Sequence, residues 1–438
     1  MKRLKFLLLV SLGIKRWLLL FAVGVLVAGL GSGILLAVVF QGEIHSFLSL
    51  ASGRYLNLVE VFYIAIAVLL TGILISSIAF RYIMNELFQI VGLPEPNQAM
   101  DSFLKRRLLA RGPRIVALGG GTGLPILLQG IKHFSSNITA IVTVADDGGS
   151  SGKLREDFGM LPPGDIRNCL LALAERESQL EGILRYRFKG EGDLARHSLG
   201  NLILTALTEQ KGDFLAAVTE ASRLLATLGR VVPMSLANVH LVGAFADGLI
   251  VRGESKISKA GGHIERLSLD PPNPPATPEA LEAILEADLI LYAPGSLFTS
   301  LIPNLLVPEI RMALSLSKAP RVLICNTMTQ PGETEAFTEA DHLQAVLSHA
   351  GKIVDYAIIN AGDWPSAPAG GYNLLNRYLG RRDYSDIGKM GVSCFFGSVA
   401  DLNRPYRHDS MRLAETVARL FVTLRPEFRR YLWFDDEM

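Results

Sequence analysis

Two long uncharged runs near the N-terminus constrain this chain more than any other feature, because each is long enough to leave water altogether. From Trp17 to Phe40 no charged residue occurs. At about 1.5 Å rise per residue a helix of that length reaches roughly 36 Å, enough to cross a hydrocarbon core with some tilt. Val61 to Phe80 is a second uncharged run, about 30 Å long as a helix. The polar region between them, Gln41 to Asn57, carries Arg54 as its only Lys or Arg, whereas Lys2, Arg3, Lys5, Lys15 and Arg16 precede the first run. Arg81, Lys105, Arg106, Arg107, Arg111 and Arg114 follow the second. The positive-inside bias then places both ends in the cytoplasm. A cleaved signal peptide is the alternative. Against it, Lys15 and Arg16 interrupt the first apolar stretch, the run after them exceeds a signal core, and a second span follows. The expected organisation is a membrane hairpin over residues 1–90 with spans at about 17–40 and 58–80, a linker at 91–113, and a cytoplasmic domain at 114–438, held at the cell (inner) membrane. Gly29 and Gly33 form a GxxxG pair, a spacing that lets helices approach closely. It leaves a homo-oligomer open without specifying one.

Charge and cysteine content exclude several classes. Lys and Arg number 43 against 42 Asp and Glu, a net charge of +1, so no basic field exists to hold a nucleic-acid backbone. The three cysteines, Cys169, Cys325 and Cys394, have no CxxC spacing, which argues against a disulfide framework and a thiolate metal site.

The soluble part alternates strand and helix signals. Residues 92–113 mix prolines with a basic amphipathic stretch and read as a linker near anionic headgroups. Ile115–Leu118, Ile138–Val144, Leu289–Ala293, Val322–Cys325 and Tyr356–Asn360 are short apolar runs, and Leu124–Phe134 has helical character between the first two. Such a β-α-β beginning predicts an α/β, Rossmann-like, doubly wound, mostly parallel sheet. Val239–Phe245 and Leu249–Gly253 flank the turn Ala246-Asp247-Gly248, which adds an antiparallel insertion. Thr277-Pro278-Glu279 has the pattern of an N-cap followed by a first-turn proline.

Several loops at the expected carboxyl ends of strands carry candidate binding groups. Gly119, Gly120, Gly121, Thr122 and Gly123 stand where strand one turns into helix one. Unpaired amides at a helix N-terminus attract anions, and glycine lets a phosphate approach. A tight turn alone would need fewer glycines. The pattern is not the dinucleotide fingerprint, because Leu124 occupies a position that fingerprint gives to glycine. After strand two come Asp146, Asp147, Gly148, Gly149, Ser150, Ser151, Gly152, Lys153, Leu154 and Arg155, which nearly spell a Walker loop. Asp147 stands at its first glycine and Leu154 replaces the Mg²⁺-binding hydroxyl, so NTP hydrolysis by that route is disfavoured. Asp146 and Asp147 are candidates to ligate a divalent cation such as Mg²⁺ or to bind a ribose hydroxyl, with helix capping as the alternative. Asp165 is placed to cap a helix running through Leu173, and Arg167 and Asn168 follow it. His197 and Asn201 head the apolar helix Leu202–Leu207. Gly295 and Ser296 follow the strand ending at Ala293, and Asn326 follows the next. Loops of this kind converge on one rim of a doubly wound sheet.

Taken together, GGGTGL at 119–124, TVADDGGSSGKLR at 143–155, PPGDIRNCL at 162–170, HSLGNL at 197–202, APGSLFTSLIPNLLVPEI at 293–310 and NTMTQPGET at 326–334 resemble the gluconeogenesis factor (YvcK-like) family of the CofD-like superfamily. The resemblance spans nearly the whole soluble part. It implies a Rossmann-like fold that binds UDP-sugars such as UDP-N-acetylglucosamine, with a regulatory role in cell shape and envelope synthesis. The related branch, 2-phospho-L-lactate transferase, implies Mg²⁺ and a metal and acceptor site at the positions of Asp146, Asp147 and, by extension, Asp165. Gly148–Arg155 follows the gluconeogenesis-factor pattern instead, and the membrane hairpin is an addition to the common soluble form.

Two main functions of different classes follow. One is a membrane-tethered regulator that binds a UDP-sugar or related nucleotide. The other is a Mg²⁺-dependent transferase in which Asp146 and Asp147 hold the cation and Asp165 or His197 assists the acceptor. A nicotinamide oxidoreductase is a weaker third. No protein partner is readable from the residues.

Overall fold

The computed structural model describes residues 2–39, 58–91, 106–175, 177–335, 337–361, 384–401, 403–404 and 407–431. The expected hairpin turn at 41–57 and the linker segment 92–105 lie outside the described residues. The chain divides into two compact units, Met1–Lys105 and Arg106–Met438.

In the first unit, helices Lys2–Val39 and Leu58–Val91 each contain a stretch long and apolar enough to cross a membrane, Lys15–Val38 and Val59–Glu86. The second helix runs past Phe80, where the uncharged run ends, because backbone hydrogen bonding does not stop at a charge such as Arg81. Leu19, Leu26 and Leu30 on one helix and Leu70 and Leu74 on the other point outward, a pattern that is costly in water and natural against lipid. The helices meet through small residues: a Cβ built at Gly31 would stand 2.5 Å from Leu69 N, and one at Gly72 would stand 2.3 Å from Ala28 N. Gly29 and Gly33 meet nothing within 4 Å. Close approach therefore uses Gly24, Gly31 and Gly72 rather than the GxxxG pair.

The second unit is built on a seven-stranded sheet. Its strands are β1 (Ile115–Gly119), β2 (Ile138–Val142), β3 (Arg230–Pro233), β7 (Leu289–Tyr292), β8 (Arg321–Ile324), β9 (Tyr356–Asn360) and β10 (Ser393–Gly397), in the order β10-β9-β8-β7-β1-β2-β3. Every neighbouring pair is parallel. β1, β2 and β7 are buried at every position, as expected of β-branched and leucine-rich strands covered on both faces. The antiparallel insertion is a separate sheet, β5-β4-β6, of β4 (His240–Phe245), β5 (Ile250–Arg252) and β6 (Ile264–Asp270). β3, β6 and β10 have no counterpart among the strands expected from sequence.

Strand order reverses between β1 and β7. From β1 the chain winds outward to β2 and β3, and from β7 outward to β8, β9 and β10. With right-handed crossovers, the helices of the two halves fall on opposite faces. Helices Gly123–Ile131 and Pro163–Leu173 of the first half accordingly pack together, Pro278–Glu286 packs with Pro308–Leu316, and the last helix, Ser410–Leu424 after β10, returns to pack on Gly123–Ile131. The loops after β1 and β7 then diverge at one point of the rim, which is where open α/β sheets hold ligands.

Candidate functional site

The loop after β1 enters helix Gly123–Ile131 directly. Its glycines are dictated by crowding. A Cβ at Gly121 would stand 2.1 Å from Asp165 Oδ1, and one at Gly123 would stand 1.8 Å from the Pro294 carbonyl oxygen. The facing loop after β7 is pinned by Asn326, which accepts from Gly295 N at 2.8 Å and donates to Gly295 O at 2.6 Å. Ser296 caps the wide turn Leu297–Leu301 by accepting from Thr299 N. Between these loops opens a cleft of about 980 Å³ lined by Gly121, Thr122, Gly123, Asn168, Gly295, Ser296 and Asn326. Arg185, Arg404, Arg407 and His408 complete its wall. His408 is buried with Nε2 3.2 Å from Cys325 O, and burial pushes its imidazole down to about 4, so it stays neutral at physiological pH. A smaller hollow of about 440 Å³ lies at the amino ends of β1 and β2, the wrong end of the sheet for the loops that carry binding groups.

Asp165, expected as a helix cap, sits instead in the first turn of helix Pro163–Leu173, with Pro162 at the cap position. Its carboxylate accepts from the Gly121 amide and lies beneath the glycine loop. Burial first, and the neighbouring Asp146 second, push it up to about 7. Glu254, at the start of helix Glu254–Ala260, is likewise pushed up to about 7 by burial and then by Asp146. Asp146 itself is raised, mainly by burial, although it accepts from Gly148 N at 2.8 Å and from Ser151. Asp147 accepts from Ser255 N at 2.8 Å and so anchors the helix that carries Glu254. Both aspartates therefore bind backbone amides at turns or helix starts, and Asp146 also belongs to a carboxylate group shared with Asp165 and Glu254.

The remaining expected residues form a buried polar network behind this rim. Asn168 donates to Gly121 O at 2.9 Å and accepts from Arg167 at 2.8 Å. Arg167 also donates to Asn201 at 2.6 Å and to Ser198. Asn201 donates to Ser150 at 3.0 Å, and Ser150 lies 3.0 Å from His197 Nδ1. Ser198, at the N-cap of helix Leu199–Lys211, accepts from Asn201 N. Arg155 donates to Val239 O at 2.6 Å, which ties helix Gly149–Phe158 to the start of the insertion. Lys153 is exposed on that helix. The cleft is thus lined by the loops after β1, β7 and β8 together with Asn168, whereas Asp146, Asp147, Ser150, Ser151, Lys153, Arg155, His197 and Asn201 are not among its lining residues.

Sequence reasoning missed Glu254, Glu333, Arg185, Arg404, Arg407 and His408. Glu333 is buried and accepts from Ser296, from Thr299 at 3.3 Å, from Ser258 at 3.0 Å and from Gln330 at 3.0 Å. It joins the loops after β7 and β8 to helix Glu254–Ala260. The polar run Arg404 to Asp409 ahead of an apolar helix was the one available signal for the arginine wall.

Among the described residues, no three His, Cys, Asp or Glu side chains group to hold a metal alone. Mg²⁺ ordinarily takes one or two carboxylates and completes its shell with water and ligand phosphates. Asp146 and Asp165 supply oxygen donors of that kind beside the glycine loop.

Comparison with known proteins agrees with this geometry. The family described as 2-phospho-L-lactate transferase CofD matches residues 115–399, so fold and rim together define a CofD-like α/β protein. The gluconeogenesis factor of Bacillus subtilis is 44% identical over 314 residues, which cover 71% of this chain and 99% of that protein. A protein of Nostoc sp. designated "putative gluconeogenesis factor" is 47% identical over 425 residues, covering 94% of this chain and 91% of its own length. The chain belongs to the gluconeogenesis factor family within the CofD-like class. The Nostoc alignment leaves too little of this chain over to omit the N-terminal unit, so that relative extends into it. A crystal structure of a UPF0052 family member from Bacillus halodurans superposes with a TM-score of 0.64 at 41% identity, covering 70% of this chain and 99% of that one.

Proposed function

We propose that this chain is a membrane-anchored binding protein for a nucleotide sugar of the UDP-sugar kind, acting as a regulator linked to envelope synthesis and cell shape. The observation that supports this reading is the cleft at the strand-order reversal. Its volume of about 980 Å³ suits a ligand of nucleotide-sugar size. One side offers the glycine loop at a helix N-terminus for phosphate, and Arg185, Arg404 and Arg407 on the wall can neutralise a diphosphate. Relatives named as gluconeogenesis factors fit a regulator that answers to carbon supply. In this reading the two apolar helices anchor the protein in the inner membrane with the domain in the cytoplasm, as the Lys and Arg distribution suggests.

Isothermal titration of the detergent-solubilised full chain with UDP-N-acetylglucosamine, with and without Mg²⁺, tests the ligand. Saturable binding without turnover is expected, and no heat at millimolar ligand would sink the reading. Cysteine-accessibility labelling tests the anchor: positions in 41–57 should label from outside intact cells, and positions in the domain only after lysis.

A second reading, a Mg²⁺-dependent transferase, is favoured by one observation. Asp165 and Glu254, both pushed up to about 7, are poised to exchange a proton near neutral pH beside the loop where a phosphate would bind. Bound Mg²⁺ would supply charge neutralisation for a diphosphate leaving group. Mg²⁺-dependent conversion of a nucleotide adduct, lost in Asp165→Asn, would establish that reading over the first.

A further inference from the structure

We propose that Arg167, Arg185 and Arg187 form an anion subsite beside the cleft that takes a phosphoryl group. Arg167 is the anchor. It is only 8% exposed, and its hydrogen bonds run to the neutral acceptors of Ser198, Asn201 and Asn168. Its buried Nε has no hydrogen-bond partner. A buried guanidinium normally sits against a carboxylate, because an uncompensated charge in the interior is costly. Here, among the described residues, no carboxylate bonds to it.

Two further arginines converge on the same place. Helix Glu177–Arg185 ends against Gly200: a Cβ there would stand 2.8 Å from Leu184 O and 2.6 Å from Arg167 Cδ. The chain then extends, and Arg187 pairs with Ser198 in an isolated antiparallel bridge. Ser198 is the residue whose hydroxyl receives Arg167. Arg185 and Arg187 are both exposed; Arg187 gives one N–H to Arg196 O at 3.1 Å, and the remaining N–H groups of the two can touch an anion directly while Arg167 supplies a fixed charge behind them. The field agrees with the geometry. After burial, the largest influences pushing Arg167 down to about 10 are Arg187 and Arg185, and the attraction of Asp165 and Asp146 is smaller. Glu181, bonded to Arg185 at 2.6 Å, offsets one of the three charges and leaves the cluster positive.

A phosphoryl group fits this arrangement because its two charges match the remaining excess and its oxygens accept the paired N–H groups of guanidinium forks. Arg185 and Asn168 also line the cleft, so the group can come from inorganic phosphate or from a ligand lying in the cleft. The subsite stands whether or not that ligand is a nucleotide sugar.

The test uses the full chain in detergent, titrated with inorganic phosphate. Saturable binding is expected, and the double variant Arg185→Gln/Arg187→Gln, confined to exposed side chains, should weaken it at least about tenfold. Arg167→Lys, checked for folding by near-ultraviolet circular dichroism, keeps the charge and loses the fork, and should give a smaller loss. Absence of saturable phosphate binding, or equal affinity in the double variant, overturns the proposal. Repeating the titration with UDP-N-acetylglucosamine at saturating phosphate separates the sources. Competition assigns the subsite to a ligand phosphoryl group, and independent binding assigns it to phosphate itself. Arginine-dependent phosphate binding without nucleotide binding would remove the proposed ligand and leave the subsite intact.

Discussion

The glycines after β1 are packed against neighbouring segments, whereas the glycine pair after β2, Gly148 and Gly149, faces more open space. At Gly121 and Gly123 a methyl group would fall onto Asp165 and the Pro294 carbonyl. At Gly148 the nearest atom is Asp146 Oδ1 at 3.3 Å, and at Gly149 nothing lies within 4 Å. Gly149 is glycine for its backbone, with φ at +48°, and Gly148 is the extended residue that precedes helix Gly149–Phe158. Two glycine runs at equivalent places in successive β-α units thus answer to different physics, close approach in one and backbone freedom in the other. A side chain at the first loop perturbs the fold before it reports on any ligand.

Substitutions can break this contrast. Gly123→Ala should have the largest effect, about 3 kcal/mol or more of lost stability, because backbone rather than a flexible side chain stands in the way. Urea unfolding of the purified chain measures it, and parent-like stability would refute the packing argument.

Asp165→Asn should come next, with a pH signature. The Asp165 carboxyl is raised from 3.8 to about 7 in the folded chain, so its contribution to stability is fully present below about pH 4 and lost as pH rises through 7. Asparagine keeps an acceptor for the Gly121 amide and cannot ionise. The variant should therefore gain on the parent between pH 4 and pH 8, by about 1.4 kcal/mol for each pH unit up to pH 7. Denaturation curves at the two pH values that shift in parallel would count against a buried, proton-holding Asp165.

The second loop should respond weakly. Gly149→Ala should cost about 1 kcal/mol for its left-handed backbone, and Gly148→Ala should stay within about 0.5 kcal/mol. If thermal melts show either to be as damaging as Gly123→Ala, the contrast between the loops fails.

Much of the sheet was legible because β1, β2, β7, β8 and β9 are compact apolar runs whose burial on both faces shows in composition alone. β3 and β10 were not. Arg230–Pro233 and Ser393–Gly397 are short edge strands whose identity depends on the neighbour they join. β6, Ile264–Asp270, is exposed at several positions and reads as polar loop until it pairs with β4. The site divides the same way. The glycine loops, Asn326 and the Asp146–Asp147 pair are contiguous signals beside strands, and sequence reasoning located them. That Asp165 lies under Gly121, that Glu254 joins it from the insertion, and that Glu333 ties three segments together are consequences of the crossovers. The arginines at 185, 404 and 407 carry no motif and reach the cleft only through the path of the chain.

The contact of Gly123 with the Pro294 carbonyl, and the reciprocal bonds between Asn326 and Gly295, fix the base of the cleft to the sheet. Arg185 and the pair Arg404 and Arg407 reach it from segments outside the strands. In the proposed function, scaffold and selectivity are therefore carried by different parts of the chain. Under the proposed function, exchanging the outer segments should retune which ligand is held while the base of the cleft stays in place.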